Sequence, residues 1–397
     1  MPNVSAPSAG HLLQFIRSGA ARTRRDLMEL TGLSRSTVAQ RVDQLVNAGY
    51  VREGGPDAST GGRRPSLLEI DEGSAVVLAA DLGATHGRVA VTDLAGRALG
   101  ETTGRTLSAE GPEKAIAWVT SRFRELLAGC GRSVAEVCGV GVGLPTPVDV
   151  HTGRTVQTPI APGWERYDIP AALAAEFPGP IMLDNDANVM ALGEYTAAGP
   201  GAPPVLLVKV ATGIGAGIVE DGRVLRGVGG AAGEIGHVRV PGREDVACSC
   251  GSRGCLAAVA SGAALARRLA ACDPSVRDAS DVARLALAGH PEAVRLTREA
   301  GRTLGEVLAV VVSVVNPGSL IVAGSLAGAG EHLVGEIREV VFRGVQYRST
   351  RGLHIGEGRV GGRAGVVGAA SMVVDRVFSS EAVDARIAAA ESLRAGC

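Results

Sequence analysis

From residue 75 onward, short apolar segments alternate with amphipathic helical patterns. A buried strand is predicted at residues 75–80, a helix at residues 113–127, and the alternation continues towards the C-terminus. Such alternation is typical of an α/β fold, in which helices cover the faces of a sheet. The strand, glycine turn and strand at residues 205–219 repeat the same pattern found at residues 76–91. The repeat predicts two related α/β lobes in one chain.

The first 70 residues have a different pattern, which predicts three short helices followed by two strands. The helices are expected at residues 11–17, 24–30 and 34–48, with Thr23 as an N-cap and a tight turn at Gly32. Strands are expected at residues 50–52 and 66–70, on either side of a polar, glycine-rich loop. We therefore predict an N-terminal winged helix-turn-helix over residues 1–72 and a second domain over residues 73–397. A last helix is expected at residues 381–395, with no function assigned to it.

The third helix separates into an apolar face and a polar face. Val38, Val42, Leu45 and Val46 follow helical spacing and are expected to point inward. Arginine and glutamine can bond bidentately to base edges, and serine or threonine can contact phosphates. The candidate contacts to double-stranded operator DNA are Arg35, Ser36, Thr37, Gln40 and Arg41 on the helix, with Arg63 and Arg64 in the loop.

Charge supports the assignment of a nucleic-acid surface to this region alone. Residues 1–66 contain nine arginines and five acidic residues, a local excess of +4, whereas the whole chain has a formal net charge of −1. The adjacent arginines at 63 and 64 are flanked by glycine and proline and could enter a narrow minor groove, where the negative potential is strongest. A small helical domain with a solvated basic face, or a partner-binding module, is the alternative.

Three of the seven cysteines lie close together after a histidine. Ten residues separate His237 from Cys248, and Cys250 and Cys255 follow. One imidazole and three thiolates are the ligands of a closed, tetrahedral structural zinc site, which leaves no position for a reactive water. The pattern predicts structural Zn²⁺, and the alternative is three buried or redox-active cysteines beside an unrelated histidine.

The N-terminus lacks the basic flank and apolar core of a signal peptide, and no apolar run reaches the roughly 18–20 residues of a membrane helix. We therefore expect a soluble cytoplasmic protein without a membrane partner.

These motifs together resemble those of the ROK family of repressors and sugar kinases, including its xylose- and N-acetylglucosamine-type repressors, over essentially the whole chain. Gly-Gly-Arg-Arg-Pro at 61–65 is similar to the wing signature of the family's regulators. Ala-Thr-Gly-Ile-Gly-Ala-Gly at 211–217 and Gly-Glu-Ile-Gly-His at 233–237 are similar to its central signature. Asp-Leu-Gly-Ala-Thr at 81–85 resembles its first phosphate loop, and Asp-Asn-Asp-Ala-Asn at 184–188 its catalytic segment.

The resemblance implies an actin-like, two-lobed sugar-kinase fold, a homodimer or homotetramer, and a set of site residues. Asp186 would be the catalytic base of a kinase, which takes a proton from the attacking sugar hydroxyl. Asn185, Glu234 and His237 would bind other hydroxyls, so His237 would serve both the zinc ion and the sugar. The phosphate loops for ATP would use Asp81, Gly83, Thr85, Thr212, Gly213 and Gly215.

The chain departs from the family pattern at polar positions of the sugar site. Ile160 stands where glucose-binding members commonly have asparagine, and Ala257 where they commonly have glutamate. We therefore predict weak or absent kinase turnover. The leading hypothesis is a transcriptional regulator of carbohydrate genes, expected to be a repressor, that is controlled by a bound sugar. The alternatives are an ATP-dependent sugar kinase, or a regulator that uses the second domain only to dimerise.

Overall fold

The computed structural model describes residues 7–56, 66–106, 108–149, 152–156 and 163–395. The N-terminal module consists of three helices and an antiparallel pair of strands, as predicted for a winged helix-turn-helix. Its elements are α1 (Ala9–Arg17), α2 (Arg24–Thr31), α3 (Arg35–Asn47), β1 (Val51–Pro56) and β2 (Ser66–Ile70). The wing loop between the strands lies outside the described residues, and so do Arg63 and Arg64.

Local hydrogen bonds explain where the two helices of the helix-turn-helix begin. Thr23 and Asp26 form a reciprocal capping box at the start of α2, as the sequence suggests. Gly32 ends α2 with φ +67°, a left-handed conformation that glycine adopts without strain. Ser34 caps α3 by accepting a hydrogen bond from the backbone N–H of Thr37.

The first lobe is built on a five-stranded sheet in the order β5-β4-β3-β6-β9. Helix α4 covers one face of this sheet and buries Phe123 there. The elements of the lobe are β3 (Val76–Leu82), β4 (His86–Thr92), β5 (Ala98–Arg105), α4 (Pro112–Gly129), β6 (Val137–Leu144), β7 (Val148–Asp149), β8 (Arg154–Thr155), α5 (Ile169–Ala174) and β9 (Ile181–Asn185).

The second lobe has a five-stranded sheet of corresponding topology, in the order β12-β11-β10-β13-β14. In each lobe a hairpin, β3–β4 or β10–β11, pairs with a parallel strand, β6 or β13, so the predicted internal repeat is confirmed. The remaining elements are α6 (Asp186–Ala198), β10 (Val205–Val210), β11 (Ile214–Glu220), β12 (Arg223–Val224), α7 (Leu256–Ala260), α8 (Gly262–Ala270), α9 (Ala279–Leu287), α10 (Pro291–Val315), β13 (Ser319–Ala323), α11 (Glu331–Gly344), α12 (Tyr347–Thr350), β14 (His354–Gly356), α13 (Ala364–Val377) and α14 (Ser380–Ala395).

Helices α6 and α13 pack against each other and lie between the two sheets. Residues Asp186–Tyr195 of α6 are all buried, which is expected of a helix enclosed on every side. The two backbones meet at glycines: a Cβ on Gly193 would lie 1.9 Å from the carbonyl oxygen of Ala364, and one on Gly368 would lie 1.8 Å from that of Val189. These contacts fix the spacing of the lobes.

The C-terminal helix α14 packs against α1 of the N-terminal module, which the sequence did not indicate. The backbone N–H of Gly10 donates to Asp384 Oδ1 at 2.8 Å, and Gln44 Nε2 donates to Glu391 Oε1 at 2.8 Å. A Cβ on Gly10 would lie 2.3 Å from the carbonyl oxygen of Ser380, so the approach needs glycine. The first and last helices therefore form one packed unit. Within the described part of the chain, no helix is both long and apolar enough to cross a membrane.

Candidate functional site

A cleft of about 1340 Å³ contains every residue that the sequence assigned to a sugar or phosphate site. Its walls come from both lobes, from the turns of the two hairpins and from the junction between β9 and α6. The predicted residues that line it are Asp81, Gly83, Thr85, Asn185, Asp186, Thr212, Gly213, Gly215, Glu234 and His237. The cleft is large enough for a small carbohydrate with a further group beside it.

The turns of the two hairpins are held in place by neighbouring backbone and hydroxyl groups. The carbonyl oxygen of Gly83 accepts hydrogen bonds from Thr106 Oγ1 at 3.0 Å and Ser108 Oγ at 3.1 Å. In the second lobe, the backbone N–H of Gly262 donates to the carbonyl of Ala211 at 2.8 Å. Both turns thus present backbone groups to the cleft from fixed positions.

The segment at the junction of β9 and α6 carries two carboxylates with separate partners. Asn185 is the N-cap of α6, since its Oδ1 accepts from the backbone N–H of Ala187 at 3.0 Å. Asp184 is 2% exposed and accepts hydrogen bonds from Arg226 Nε at 3.0 Å and Nη2 at 2.6 Å. Asn188 Nδ2 donates to the other oxygen of Asp184 at 2.9 Å. This network anchors the loop after β12 to the floor of the cleft.

Asp186, the predicted catalytic base, is paired with Lys209. The Lys209 Nζ lies 2.5 Å from Asp186 Oδ2, and both side chains are more than four-fifths buried. Burial opposes the charge on Lys209, but attraction by Asp186 and Asp81 outweighs it, so the pKa of this lysine is raised. Burial also raises the pKa of Asp81 to about 6; Lys209 works against that rise and Asp186 adds to it. A general base in an ion pair of this kind offers only its second oxygen to a ligand hydroxyl.

The predicted metal ligands converge at the mouth of the cleft. The donor atoms of His237, Cys248, Cys250 and Cys255 lie within 4.8 Å of one another. The Sγ atoms of Cys250 and Cys255 are 3.7 Å apart, and Cys248 Sγ is 3.8 Å from His237 Nδ1. Sulfur atoms on a tetrahedral zinc ion are about 3.8 Å apart, since Zn–S bonds are about 2.3 Å long. The four residues therefore fit one zinc ion.

Short backbone bridges shape the loop that carries the thiols. The backbone N–H of Cys248 donates to the carbonyl of Ser252 at 2.9 Å, and Gly251 and Gly254 have positive φ angles of +89° and +72°. A hydrogen bond from the Ser252 backbone is the main cause that lowers the pKa of Cys250 to about 6, whereas burial raises that of Cys255 to about 12. The backbone of the loop thus supports a thiolate at Cys250.

The candidate DNA-contacting residues lie on the outer side of α3. Arg35, Ser36 and Gln40 are exposed, whereas Thr37 and Arg41 are half-buried. Thr37 Oγ1 is within 2.8 Å of Ser34 Oγ and so belongs in part to the helix cap. The buried face of α3 holds Val38, Val42 and Leu45, as the spacing predicts, with Val46 partly buried beside them.

Sequence reasoning missed Lys209 and Arg226, the two cations that neutralise the aspartates of the cleft. A signal for Lys209 was present: it is one of two lysines in the chain and interrupts an otherwise apolar strand. No comparable signal marks Arg226, because arginine is common throughout this sequence. The departure at Ala257 lies in the cleft lining, whereas Ile160 lies outside the described residues.

Comparisons with known proteins cover both parts of the chain. A winged helix-turn-helix DNA-binding model matches residues 10–52. A putative xylose repressor from Caldicellulosiruptor sp. (strain Rt8B.4) is 29% identical over 384 residues, which cover 93% of this chain and 95% of the repressor. The crystal structure of a ROK family transcriptional regulator, a homologue of the E. coli MLC protein, matches with a TM-score of 0.76 at 23% identity, covering 96% of this chain and 98% of its own.

The similarity to sugar kinases covers a smaller share of the chain. A ROK family glucokinase from Streptomyces griseus, solved with glucose and AMPPNP, is 29% identical with a TM-score of 0.63. The match covers 99% of the glucokinase but 75% of this chain. The ROK family model itself matches residues 77–376, most of the chain, and the sequence resemblance is therefore confirmed. The chain belongs to the ROK family.

Proposed function

We propose that the chain is a DNA-binding transcriptional repressor of carbohydrate genes, controlled by a sugar that binds in the cleft between the lobes. The observation that carries this proposal is the presence of both parts in one relative: the repressor matches the chain over 93% of its length, the glucokinase over 75%. A kinase has no use for the exposed polar face of α3. The domains would be residues 1–72 for DNA and 73–397 for effector binding and assembly.

The DNA contacts would come from α3 in the major groove and from the wing. Arg35 and Gln40 are exposed at the start of α3, where a recognition helix contacts base edges. Arg63 and Arg64 would contact the minor groove or the phosphates from the wing. Ser36, Thr37 and Arg41 would support the helix on the DNA backbone.

A mobility-shift assay on DNA from upstream of the chain's own gene tests the function. We expect Arg35→Ala/Gln40→Ala to weaken specific binding by roughly tenfold or more, since each good base contact contributes about 1–3 kcal/mol. Asn47→Ala, at the exposed far end of the same helix, is the matched control. Arg63→Ala/Arg64→Ala should lower affinity and flatten its salt dependence. Equal affinity of all four proteins for operator and random DNA would refute the proposal.

The sugar would be held by Asn185, Asp186, Glu234 and His237. D-Xylose is the first probe, since a relative is described as a xylose repressor, with glucose and N-acetylglucosamine beside it. We expect one of these sugars, or a phosphorylated derivative, to raise the melting temperature and release the operator. Glu234→Gln should reduce both effects. If no sugar in the panel changes the melting temperature or the operator binding, the alternative is favoured, in which the second domain serves only for dimerisation.

The kinase alternative is tested by ADP release. We expect little or no turnover on the same sugars, although Asp81, Thr85 and the turn at 211–213 line the cleft as ATP loops would. Turnover in the ordinary enzyme range, about 1–1000 per second, would make the chain a kinase as well as a regulator.

A structural zinc ion would hold the loop at the mouth of the cleft. His237 would then position a sugar-binding nitrogen through its bond to the metal. Native mass spectrometry should find one Zn²⁺ per chain, and Cys250→Ser should lose both the metal and sugar binding. Cys272→Ser, an exposed cysteine outside the cluster, is the control. A metal-free chain that still binds sugar would contradict the assignment.

A homodimer would place two wings on one operator. Val310 and Val314 lie one turn apart on α10 and are 65% and 79% exposed, and Tyr347 on the adjacent α12 is 74% exposed. We assign this apolar patch to a second copy of the chain, since a helix-turn-helix dimer reads two half-sites one helical turn apart. Val310→Asp/Val314→Asp should yield monomers by light scattering, with Leu287→Asp, exposed on α9, as control. An unchanged dimer would rule out this surface, and a tetramer would need a second one.

A further inference from the structure

Lys209 stands where three structural elements meet, two of which bring carboxylates towards the cleft. It lies on β10, Asp186 begins α6, and Asp81 lies near the end of β3. The Nζ is 2.5 Å from Asp186 Oδ2, and the Lys209 side chain is 16% exposed. Asp81 belongs to the opposite lobe, yet its charge also attracts Lys209. One ammonium therefore serves carboxylates of both lobes.

The position of Asp81 is fixed by close backbone packing. A Cβ on Gly365 would lie 2.1 Å from Asp81 Oδ2, and one on Gly143 would lie 3.3 Å from Oδ1. Asp81 Oδ1 is buried and has no hydrogen-bond partner within the described ranges. Glycines thus enclose the carboxylate on two sides, and a cation that pairs with it must approach from the cleft.

We propose that the Lys209 ammonium is a built-in cation that occupies the place of a divalent metal ion between Asp81 and Asp186. Carboxylate oxygens are the protein ligands that Mg²⁺ prefers, and phosphoryl transfer from ATP needs a metal ion that bridges the phosphate oxygens. A tethered ammonium neutralises carboxylates, but it has one charge and no open coordination position. It therefore excludes a metal-bound nucleotide.

The same residue determines which ligands the cleft accepts. Lys209 neutralises Asp186 and Arg226 neutralises Asp184, while Glu234 and Glu357 remain in the lining. A ligand rich in hydroxyls can donate hydrogen bonds to these carboxylates. The cleft therefore favours sugars as ligands, and the metal part of the proposal holds whether or not the chain is a repressor.

Titration of the zinc-loaded, full-length chain with Mn²⁺, followed by electron paramagnetic resonance, tests the proposal. We expect wild type and Lys209→Arg to bind no Mn²⁺ in the cleft. Lys209→Met, of similar length and without charge, should bind one Mn²⁺ per chain at least tenfold more tightly than wild type. Adding Asp81→Asn to Lys209→Met should abolish the gain.

Two results would overturn the proposal. The first is a Mn²⁺ ion that wild type binds and Asp81→Asn does not, because the metal would then occupy this place with Lys209 still present. The other is a Lys209→Met chain with a native circular dichroism spectrum and no new Mn²⁺ site; Lys209→Thr replaces it if it does not fold. Operator binding by the same proteins reports on the proposed function separately, because no residue of α3 lines the cleft.

Discussion

At Asp81, burial and the positive charges of neighbouring residues act on the pKa in opposite directions. Burial raises its pKa to about 6 from a usual value of 3.8, in spite of the attraction of Lys209. The folded chain therefore favours the neutral carboxyl, and this contribution to stability is complete below about pH 4 and is lost as the pH rises through 6. A shift of about two units corresponds to roughly 3 kcal/mol at most.

Replacing the Asp81 carboxylate by an amide should remove the loss of stability that occurs as the pH rises through 6. We expect Asp81→Asn to gain up to about 3 kcal/mol in unfolding free energy relative to wild type between pH 4 and pH 7. Urea unfolding of both proteins at several pH values measures the difference. Asp221→Asn, at an exposed position of positive φ that asparagine tolerates, controls for the amide. A constant difference between Asp81→Asn and wild type over this range would show that Asp81 stays ionised.

The contact between α6 and α13 depends on a glycine in each helix. A methyl group on Gly368 would lie 1.8 Å from a carbonyl oxygen of α6, which neither helix can avoid without moving. Because the two helices separate the two sheets, such a movement would also change the width of the cleft. Helix spacing and ligand binding are therefore connected at this contact.

Substituting alanine for these glycines tests whether the steric clash at the contact outweighs the higher helix propensity of alanine. We expect Gly193→Ala and Gly368→Ala each to cost at least about 2 kcal/mol of stability, because overpacking outweighs the better helix propensity of alanine. Gly129→Ala near the end of α4, where a Cβ would have open space, should be neutral or stabilising. Thermal unfolding of the three variants checks the order, and equal midpoints would contradict it.

Local sequence signals predicted the helices and strands well, but they could not predict contacts between residues that are far apart in the sequence. The Thr23 and Asp26 capping box and the glycine turns are set by a few neighbouring residues, so they were visible in the sequence. The pairing of Lys209 with Asp186 joins a strand to a helix 23 residues away. The docking of α14 on α1 joins opposite ends of the chain, and periodicity alone cannot indicate which surfaces meet.

Across the whole molecule, the cleft is connected to the DNA-binding module through packed helices. Helix α6 begins in the cleft with Asp186 and packs on α13, which is followed by Phe378. The ring of Phe378 meets that of Tyr50, just before the wing, edge to face with centroids 5.5 Å apart. If sugar binding shifts α13, the contact between Phe378 and Tyr50 would therefore pass this movement to the residue just before β1.

Weakening this contact should uncouple sugar from DNA. We expect Phe378→Leu to bind operator, but with the sugar-induced loss of affinity reduced at least threefold. Phe123→Leu, which alters a similar edge-to-face pair with Phe177 inside the first lobe, should keep the full sugar response. Mobility shifts with and without the sugar that releases wild type measure both. Equal responses would show that the signal reaches the DNA by another route.

The docking of α14 on α1 has a consequence for synthesis on the ribosome. Helix α1 emerges long before α14, so Gly10 and Gln44 must wait for their partners Asp384 and Glu391, which are 374 and 347 residues further along the chain. Until then, the apolar residues that α1 and α14 bury together stay exposed on the nascent module. A chain stopped before α14 would thus carry a recognition helix on an incompletely packed support, which ties firm operator binding to the synthesis of α14.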